Sequence, residues 1–169
     1  MKTANLYTDG ACSTNGTWDG GAGLYVELNQ YEEHFYMAQV ETTNNVMELE
    51  AFLYALKYSY YNLDTDYDIK ILTDSAYIVN CLKQQWYKKW QSNGWRTAKK
   101  DPVKNKHIWE EILEYLGKTC FHTIEVIKVK GHSGDRGNGI ADQLAVAGRD
   151  LGKYQEWEEF KDEIKQLYN

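Results

Sequence analysis

Four acidic residues have positions that could support chemistry: Asp9, Glu48, Asp74 and Asp142. Asp9 and Asp74 each end a short apolar run, and Glu48 and Asp142 each lie near the start of a run with helical spacing. Four carboxylates placed together cannot all ionise unless cations neutralise them, so their convergence would require one or two divalent ions. Hard oxygen ligands favour Mg²⁺ or Mn²⁺ over zinc.

Each of these acids also has an ordinary structural explanation. An aspartate beside a glycine, as in Asp9-Gly10, is commonly a turn former. An acid in the first turn of a helix commonly interacts favourably with the helix dipole. The elements that position the acids, and the residues next to them, therefore decide between a metal site and four solvated side chains.

The order of strands and helices predicts an α/β fold with one mixed sheet. In such a sheet, ligands gather where parallel and antiparallel neighbours meet, and Asp9 and Asp74 are expected at strand ends there. Residues 42–45 offer N-caps for one helix, and Asn138 is expected to cap another. The predicted strands cover residues 4–9, 24–28, 31–40, 67–73 and 121–129; the predicted helices cover residues 46–60, 76–82, 83–91, 105–116, 139–150 and an acidic amphipathic stretch over 154–169.

Charge is strongly segregated along the chain. The whole chain of 169 residues has a net charge of −6, which disfavours a polyanionic partner. The segment 83–106, here called the basic arm, nevertheless has eight Lys or Arg residues and one acid, a net charge of +7, so the remainder carries −13. This distribution predicts that the basic arm meets an anionic partner while the rest stays acidic.

Composition excludes several other classes of protein. No stretch approaches the roughly 20 consecutive apolar residues of a membrane helix, and residues 1–10 read as a strand and not as a signal peptide. Cys12, Cys81 and Cys120 are odd in number and form no CxxC pattern, so neither a disulfide framework nor a zinc site is indicated. We therefore expect a cytoplasmic, monomeric protein of a single domain without a membrane partner.

Several short motifs surround the acids and extend through the basic arm. They are Thr8-Asp9-Gly10, Thr42-Thr43-Asn44-Asn45-Val46-Met47-Glu48-Leu49, Thr73-Asp74-Ser75-Ala76-Tyr77, Lys130-Gly131-His132-Ser133-Gly134 with Asn138 and Asp142, Gln85-Trp86-Tyr87-Lys88-Lys89-Trp90 to Gly94-Trp95-Arg96-Thr97, and Pro102-Val103-Lys104-Asn105. In their order and spacing, these motifs resemble the type 1 ribonuclease H family over roughly residues 3–150. The tryptophan-rich arm is similar to the basic handle of the bacterial enzymes.

The resemblance implies a ribonuclease H-like fold, with a five-stranded mixed sheet flanked by helices. It implies a catalytic domain over residues 1–150 and leaves 151–169 as an acidic helical extension. The implied activity is endonucleolytic hydrolysis of the RNA strand of RNA–DNA hybrids with two Mg²⁺ ions, or Mn²⁺, leaving 5′-phosphate and 3′-hydroxyl ends. The implied catalytic set is the metal ligands Asp9, Glu48, Asp74 and Asp142, and His132 on a loop that assists proton transfer or product release.

The same resemblance implies a set of substrate contacts, some of which have structural alternatives. Asn44 and Asn45 could be helix caps, and Trp86 and Trp90, four residues apart, could pack on one helix face. As a surface-loop histidine, His132 could likewise lack a catalytic role. The implied contacts are Cys12, Asn15, Thr43, Asn44, Asn45, Trp86, Lys88, Lys89, Trp90, Trp95, Arg96, Lys99, Lys100 and Asn138.

Two residues depart from the family pattern, and two other functions stay open. Ala76 stands where many relatives have Gln, and Gly139 stands where an acid is common. A non-catalytic binding module on this fold would lack a carboxylate, whereas all four are present. A related nuclease acting on DNA is disfavoured by the basic arm and by the Thr-Thr-Asn-Asn motif.

Overall fold

The computed structural model describes residues 2–131 and 135–161, which form six strands in one sheet and five helices. No helix within those ranges is long and apolar enough to cross a bilayer. The strands are β1 (Lys2–Cys12), β2 (Gly20–Glu27), β3 (Glu32–Gln39), β4 (Tyr67–Thr73), β5 (Thr123–Lys128) and β6 (Gln155–Glu159). The helices are α1 (Asn44–Asn62), α2 (Ala76–Lys83), α3 (Trp86–Ser92), α4 (Lys106–Lys118) and α5 (Arg136–Arg149).

The sheet is mixed, with the strand order β5-β4-β1-β2-β3-β6. Strands β1, β4 and β5 are parallel, whereas β2, β3 and β6 each pair antiparallel with a neighbour. The change from parallel to antiparallel pairing falls at β1, which lies between β4 and β2. The predicted α/β fold is therefore confirmed, with six strands in place of the five expected from the sequence.

The sixth strand corrects the helix predicted for residues 154–169, of which 162–169 lie outside the described residues. Trp157 and Phe160 have a helical spacing, but their rings pack on opposite faces of the sheet. Trp157 stacks on Tyr54 of α1 with 4.2 Å between ring centroids, and Phe160 meets Tyr36 of β3 edge-on at 5.0 Å. Because β3 would otherwise present an unpaired edge, pairing with β6 satisfies backbone groups that a helix would leave to solvent.

Helices cover both faces of the sheet and create two packed layers. On one face, Leu6 and Ile71 of the strands pack with Phe52 of α1 and Trp109 of α4, and all four side chains are fully buried. On the other face, Tyr25 of β2 packs beneath α5. The alternation of inward and outward side chains along each strand therefore places α1 and α5 on opposite sides of the same site.

The caps of α1 and α5 fix where these helices begin. Thr43 caps α1, and its hydroxyl accepts a hydrogen bond from the N–H of Val46 at 3.2 Å. Asp135 caps α5, and its Oδ1 accepts from the N–H of Asn138 at 3.0 Å. The prediction that Asn138 caps this helix is wrong, because an aspartate three residues earlier is an equally good cap and starts the helix sooner.

Glycines allow the backbone of α5 to approach the sheet closely. A Cβ atom at Gly21 would lie 2.1 Å from the carbonyl oxygen of Ala145 and 2.3 Å from the nitrogen of Arg149. A Cβ atom at Gly148 would lie 2.2 Å from the carbonyl oxygen of Met37. These obstacles are backbone atoms, which cannot move aside unless the helix shifts.

We expect Gly21→Ala to lower the free energy of unfolding by about 2–3 kcal/mol, because the added methyl group forces α5 away from β2. Gly117→Ala is the matched control, since no atom lies within 4 Å of its Cβ position in α4. That substitution should raise stability by about 0.5–1 kcal/mol. Urea denaturation measures both changes, and an unchanged midpoint for Gly21→Ala would contradict the close packing.

Candidate active site

Asp9 and Asp74 lie side by side because β1 and β4 are parallel neighbours. Thr8 pairs with Thr73 across these strands, so the next residue of each chain segment emerges at the same edge of the sheet. Asp74 directly follows the end of β4, as predicted. The prediction that Asp9 ends its strand is wrong, because β1 continues for three more residues and Asp9 pairs with Gly23 of β2.

Gly10 brings the start of α1 against β1. A Cβ atom at Gly10 would lie 2.5 Å from the backbone nitrogen of Glu48 and 2.6 Å from the carbonyl carbon of Met47. The glycine therefore serves close packing and does not make the turn expected at Asp9-Gly10. As a result, Asp9, Glu48 and Asp74 each offer a carboxylate oxygen, and these oxygens all lie within 4.8 Å of one another.

Asp142 approaches this group from α5, on the opposite face of the sheet from α1. Its carboxylate places negative charge beside Asp9, which raises the pKa of Asp9. The structure thus brings all four candidate acids together. Three of them form the compact group, and the fourth adjoins it through Asp9.

A polar clasp holds the first turn of α5 on the sheet. The Tyr25 hydroxyl accepts a hydrogen bond from Nη1 of Arg136 at 3.0 Å and donates one to Glu32 at 2.7 Å. The Tyr25 ring stacks on His34 with 5.3 Å between centroids. Because Asp142 lies on the same helix as Arg136, the clasp fixes the direction from which Asp142 reaches Asp9. These positioning residues carry no sequence motif, so sequence reasoning did not find them.

Burial and mutual repulsion raise the pKa values of two of the acids. Desolvation, followed by the negative charges of Asp74 and Asp142, raises the pKa of Asp9 to about 8, although the N–H of Gly10 donates to its Oδ1 at 2.9 Å. Desolvation and the charges of Asp9 and Asp74 raise the pKa of Glu48 to about 10. The metal-free centre therefore holds protons at neutral pH that a bound cation would displace.

The donor set suits a hard divalent cation. All of its ligand atoms are carboxylate oxygens, which Mg²⁺ and Mn²⁺ prefer. Oε2 of Glu48 is buried and has no hydrogen-bond partner within the described ranges. Asp9, Glu48 and Asp74 could therefore hold an ion, and Asp142 could contribute from the side of Asp9.

The tryptophans of the basic arm attach it to the core. Trp90 packs against Trp95 at 5.8 Å and against Trp109 at 5.7 Å between ring centroids. Trp86 lies 6.4 Å from Tyr77. All three arm tryptophans are partly buried, so Trp86 and Trp90 do pack on the protein, and their contact with nucleic acid stays a prediction. The arm cations are exposed: Lys88, Lys89, Arg96, Lys99 and Lys100.

The start of α1 faces two residues of the basic arm that the predicted contact set does not include. A cavity of about 450 Å³ separates Thr43, Asn44 and Asn45 from Lys104 and Asn105. Thr43 is the cap, so Asn44 and Asn45 are exposed in the first turn and are free of that role. The Pro-Val-Lys-Asn motif includes both residues, and Lys104 is also one of the arm cations, but neither signal revealed their position opposite α1.

Three other predicted residues differ in how accessible they are. Cys12 is half-buried, and its thiol donates to the carbonyl oxygen of Thr42 at 3.4 Å. Asn15 is exposed in the loop between β1 and β2, whereas Asn138 is only 5% exposed, which leaves it little surface for a substrate. His132 lies outside the described residues. Gly131, just before it, lies against Asp74: a Cβ there would be 3.1 Å from Oδ2.

Comparison with known proteins agrees with this geometry. The RNase H family model matches residues 1–150. Ribonuclease H of Clostridium botulinum strain Hall is 41% identical over 147 residues, covering 86% of this chain and 94% of that protein. The crystal structure of LC9-RNase H1, described as a type 1 RNase H with the type 2 active-site motif, superposes with a TM-score of 0.76 at 24% identity over 95% of this chain and 78% of that one. LC11-RNase H1 in complex with an RNA/DNA hybrid gives 0.59 at 20% identity, over 88% and 97%.

The mixed sheet and its acidic centre define an α/β protein with a carboxylate group that could hold a metal ion. The family match and the identity to the Clostridium botulinum protein specify the class further. The chain belongs to the RNase H family.

Proposed function

We propose that the chain is an endonuclease that hydrolyses the RNA strand of RNA–DNA hybrids with two divalent metal ions, leaving 5′-phosphate and 3′-hydroxyl ends. The observation that carries this proposal is the group of Asp9, Glu48 and Asp74, whose ligand oxygens lie within 4.8 Å of one another. Membership of the family supports the ribonuclease chemistry. The hybrid bound to LC11-RNase H1 supports the choice of substrate.

The residues of the chain have distinct roles in this proposal. Asp9, Glu48 and Asp74 in their ionised forms bind and orient the cations, and Asp142 adds charge from α5. The bound ions would activate the attacking water and stabilise the leaving oxygen. Burial of Asp9 limits competing water, which strengthens each electrostatic interaction there. We assign to His132 the transfer of a proton or the release of product.

Recognition of the RNA strand requires contact with its 2′-hydroxyl groups, which both donate and accept hydrogen bonds. The side-chain amides of Asn44 and Asn45 can do both, and they are exposed one turn before Glu48. Cys12 is the last residue of β1, three residues beyond Asp9, and Asn15 lies in the loop that follows. We therefore assign these residues to the RNA strand beside the cleavage site.

The DNA strand is assigned to the basic arm. Its exposed lysines can neutralise phosphates, which would make binding weaken as salt rises. The cavity between Thr43 and the pair Lys104 and Asn105 combines a helix N-terminus with a cation, an arrangement that suits a phosphate group. We propose that one DNA phosphate binds there and sets the register of the hybrid relative to Glu48.

A labelled 20-base-pair hybrid tests the proposed function directly. We expect Mg²⁺-dependent cuts only in the RNA strand, with new 5′-phosphate ends, and none in the presence of EDTA. An RNA duplex and a DNA duplex of the same sequence should be cut at least about 10²-fold more slowly. The DNA duplex lacks the 2′-hydroxyls that the asparagines read, and the RNA duplex places 2′-hydroxyls on the strand assigned to the basic arm. Cleavage of the DNA duplex at the rate of the hybrid would instead indicate a DNA nuclease.

A further inference from the structure

The loop between β1 and β2 holds a tryptophan in an unusual environment. Trp18 is 51% exposed. Each of the other five tryptophans, all in the described part of the chain, packs on the main core or within it. Trp18 belongs to none of the core clusters found there. The indole of Trp18 therefore contributes no comparable packing, although exposing so large an apolar side chain is unfavourable.

The backbone at Trp18 is also strained. Its φ angle is +55°, in the left-handed region that residues with a Cβ atom avoid and that glycine adopts freely. A bulky side chain in this conformation persists only when the surroundings enforce it, and such strain concentrates at functional sites. Here hydrogen bonds enforce it: the Trp18 carbonyl accepts from the N–H of Thr42 at 3.0 Å, and the Asp19 carbonyl accepts from Ser13 at 2.7 Å.

The same hydrogen bonds place Trp18 beside the candidate active site. Thr42 precedes Thr43, the cap of α1, so the loop is attached to the helix that carries Glu48. The loop leaves β1 after Cys12, three residues beyond Asp9, which is about 10 Å along an extended strand. Because Cys12 pairs with Gly20, this base of the loop is about 10 Å from Asp9, and Trp18 is two residues from Gly20 in the chain.

Hydrogen bonds and close packing hold the loop between β1 and β2, which carries Trp18, in one conformation. Oδ1 of Asn15 accepts hydrogen bonds from the hydroxyls of Ser13 and Thr17 at 2.5 and 3.0 Å. A Cβ atom at Gly20, where β2 begins, would lie 2.3 Å from a methyl group of Thr42, so the loop base packs tightly. A ring held in this way loses little additional conformational freedom when it contacts a ligand.

We propose that Trp18 is a further substrate-binding contact of this enzyme, with its indole stacked on a sugar or base of the hybrid beside the cleavage site. The inference rests on the proposed function, since it takes the hybrid as the ligand. Aromatic side chains stack on nucleotides of any sequence, so Trp18 supplies affinity next to the acidic group. The partly buried tryptophans of the basic arm have less free surface for this contact.

Two variants separate the ring from the strained backbone. Trp18→Gly removes the ring and fits the left-handed conformation, so its melting temperature should not fall below that of the wild type. We expect this variant to raise both the KM for hybrid cleavage and the Kd by about 5- to 50-fold with kcat unchanged, as expected for a lost stacking contact. Trp18→Phe should restore both within about 3-fold, since it retains an aromatic ring.

The control is Phe121→Ala, which removes an 84% exposed ring. Phe121 precedes the start of β5, whereas Trp18 follows the end of β1, so the two rings lie at opposite ends of these parallel strands. The Kd is measured in EDTA by fluorescence anisotropy of an end-labelled hybrid, so it reports on Trp18 even if no cleavage occurs. Absence of cleavage by the wild type would refute the proposed function alone. An unchanged Kd for Trp18→Gly, or an equal loss of affinity for Phe121→Ala, would overturn the role of Trp18. The salt dependence of Kd should also stay the same, because no phosphate contact is lost.

Discussion

Replacing Asp74 with asparagine is expected to lower kcat for hybrid cleavage by at least about 10³-fold. The asparagine has nearly the same shape but no charge, so the centre formed with Asp9 and Glu48 loses a ligand that neutralises a divalent ion. A loss of about 4 kcal/mol in transition-state stabilisation corresponds to that factor. Asp9→Asn should cause a similar loss, because Asp9 lies in the same compact group.

Initial rates on a labelled hybrid at saturating Mg²⁺ measure this effect, and circular dichroism checks that each variant is folded. Asp66→Asn is the control: it makes the same chemical change at an exposed position in the turn before β4. Its rate should match the wild type. Rates for Asp74→Asn within about threefold of the control would exclude a metal role for this acid, since removing a metal ligand costs far more.

The strongest hydrophobic patterns predicted the correct elements. The run over residues 67–73 forms the buried strand β4, and the helical spacing of Leu49, Leu53 and Leu56 falls within α1. Local sequence was a weaker guide wherever a distant partner decides the conformation. Phe160 and Trp157 have helical spacing, yet the open edge of β3 makes residues 155–159 a strand.

In the candidate site, too, local sequence predicted some features and missed those that depend on distant residues. The four acids were found because each has recognisable neighbours, and their convergence follows from the parallel pairing of β1 with β4 and from the packing of two helices. The turn predicted at Gly10 was wrong, because the role of this glycine depends on its contact with the backbone of Glu48, which is 38 positions away in the chain. Tyr25 and Arg136, which form the polar clasp, are 111 positions apart, and no local motif marks either of them. Such contacts become visible only when the fold brings the segments together.

The raised pKa values of Asp9 and Glu48 imply that the metal-free protein loses stability as pH rises. An unfolded carboxyl group titrates near pH 4, whereas these groups titrate near 8 and 10 in the folded chain. Between those values the folded state binds more protons than the unfolded state, so the stabilising contribution is full below about pH 4 and is lost as pH rises through the folded pKa values. The causes are the desolvation of these buried carboxylates and then their mutual repulsion, which a bound cation would relieve.

We therefore expect Asp9→Asn to stabilise the metal-free protein at pH 8 to 9. The neutral side chain removes one buried charge and weakens the repulsion on Glu48, so the gain should be of order 3 kcal/mol, or about 6–12 °C in melting temperature. Thermal unfolding in EDTA at pH 5 and pH 9 measures it, with Asp66→Asn again as the control for loss of one charge. The gain in melting temperature should shrink at pH 5. Mg²⁺ should stabilise the wild type more than the variant, because binding favours the folded state in proportion to ligand affinity.

A lower melting temperature for Asp9→Asn at pH 9 would show that Asp9 stabilises the fold in its ionised form. The acidic centre would then not destabilise the metal-free protein. If the gain is observed, the acids that form the metal site are also the ones that lower the stability of the metal-free protein.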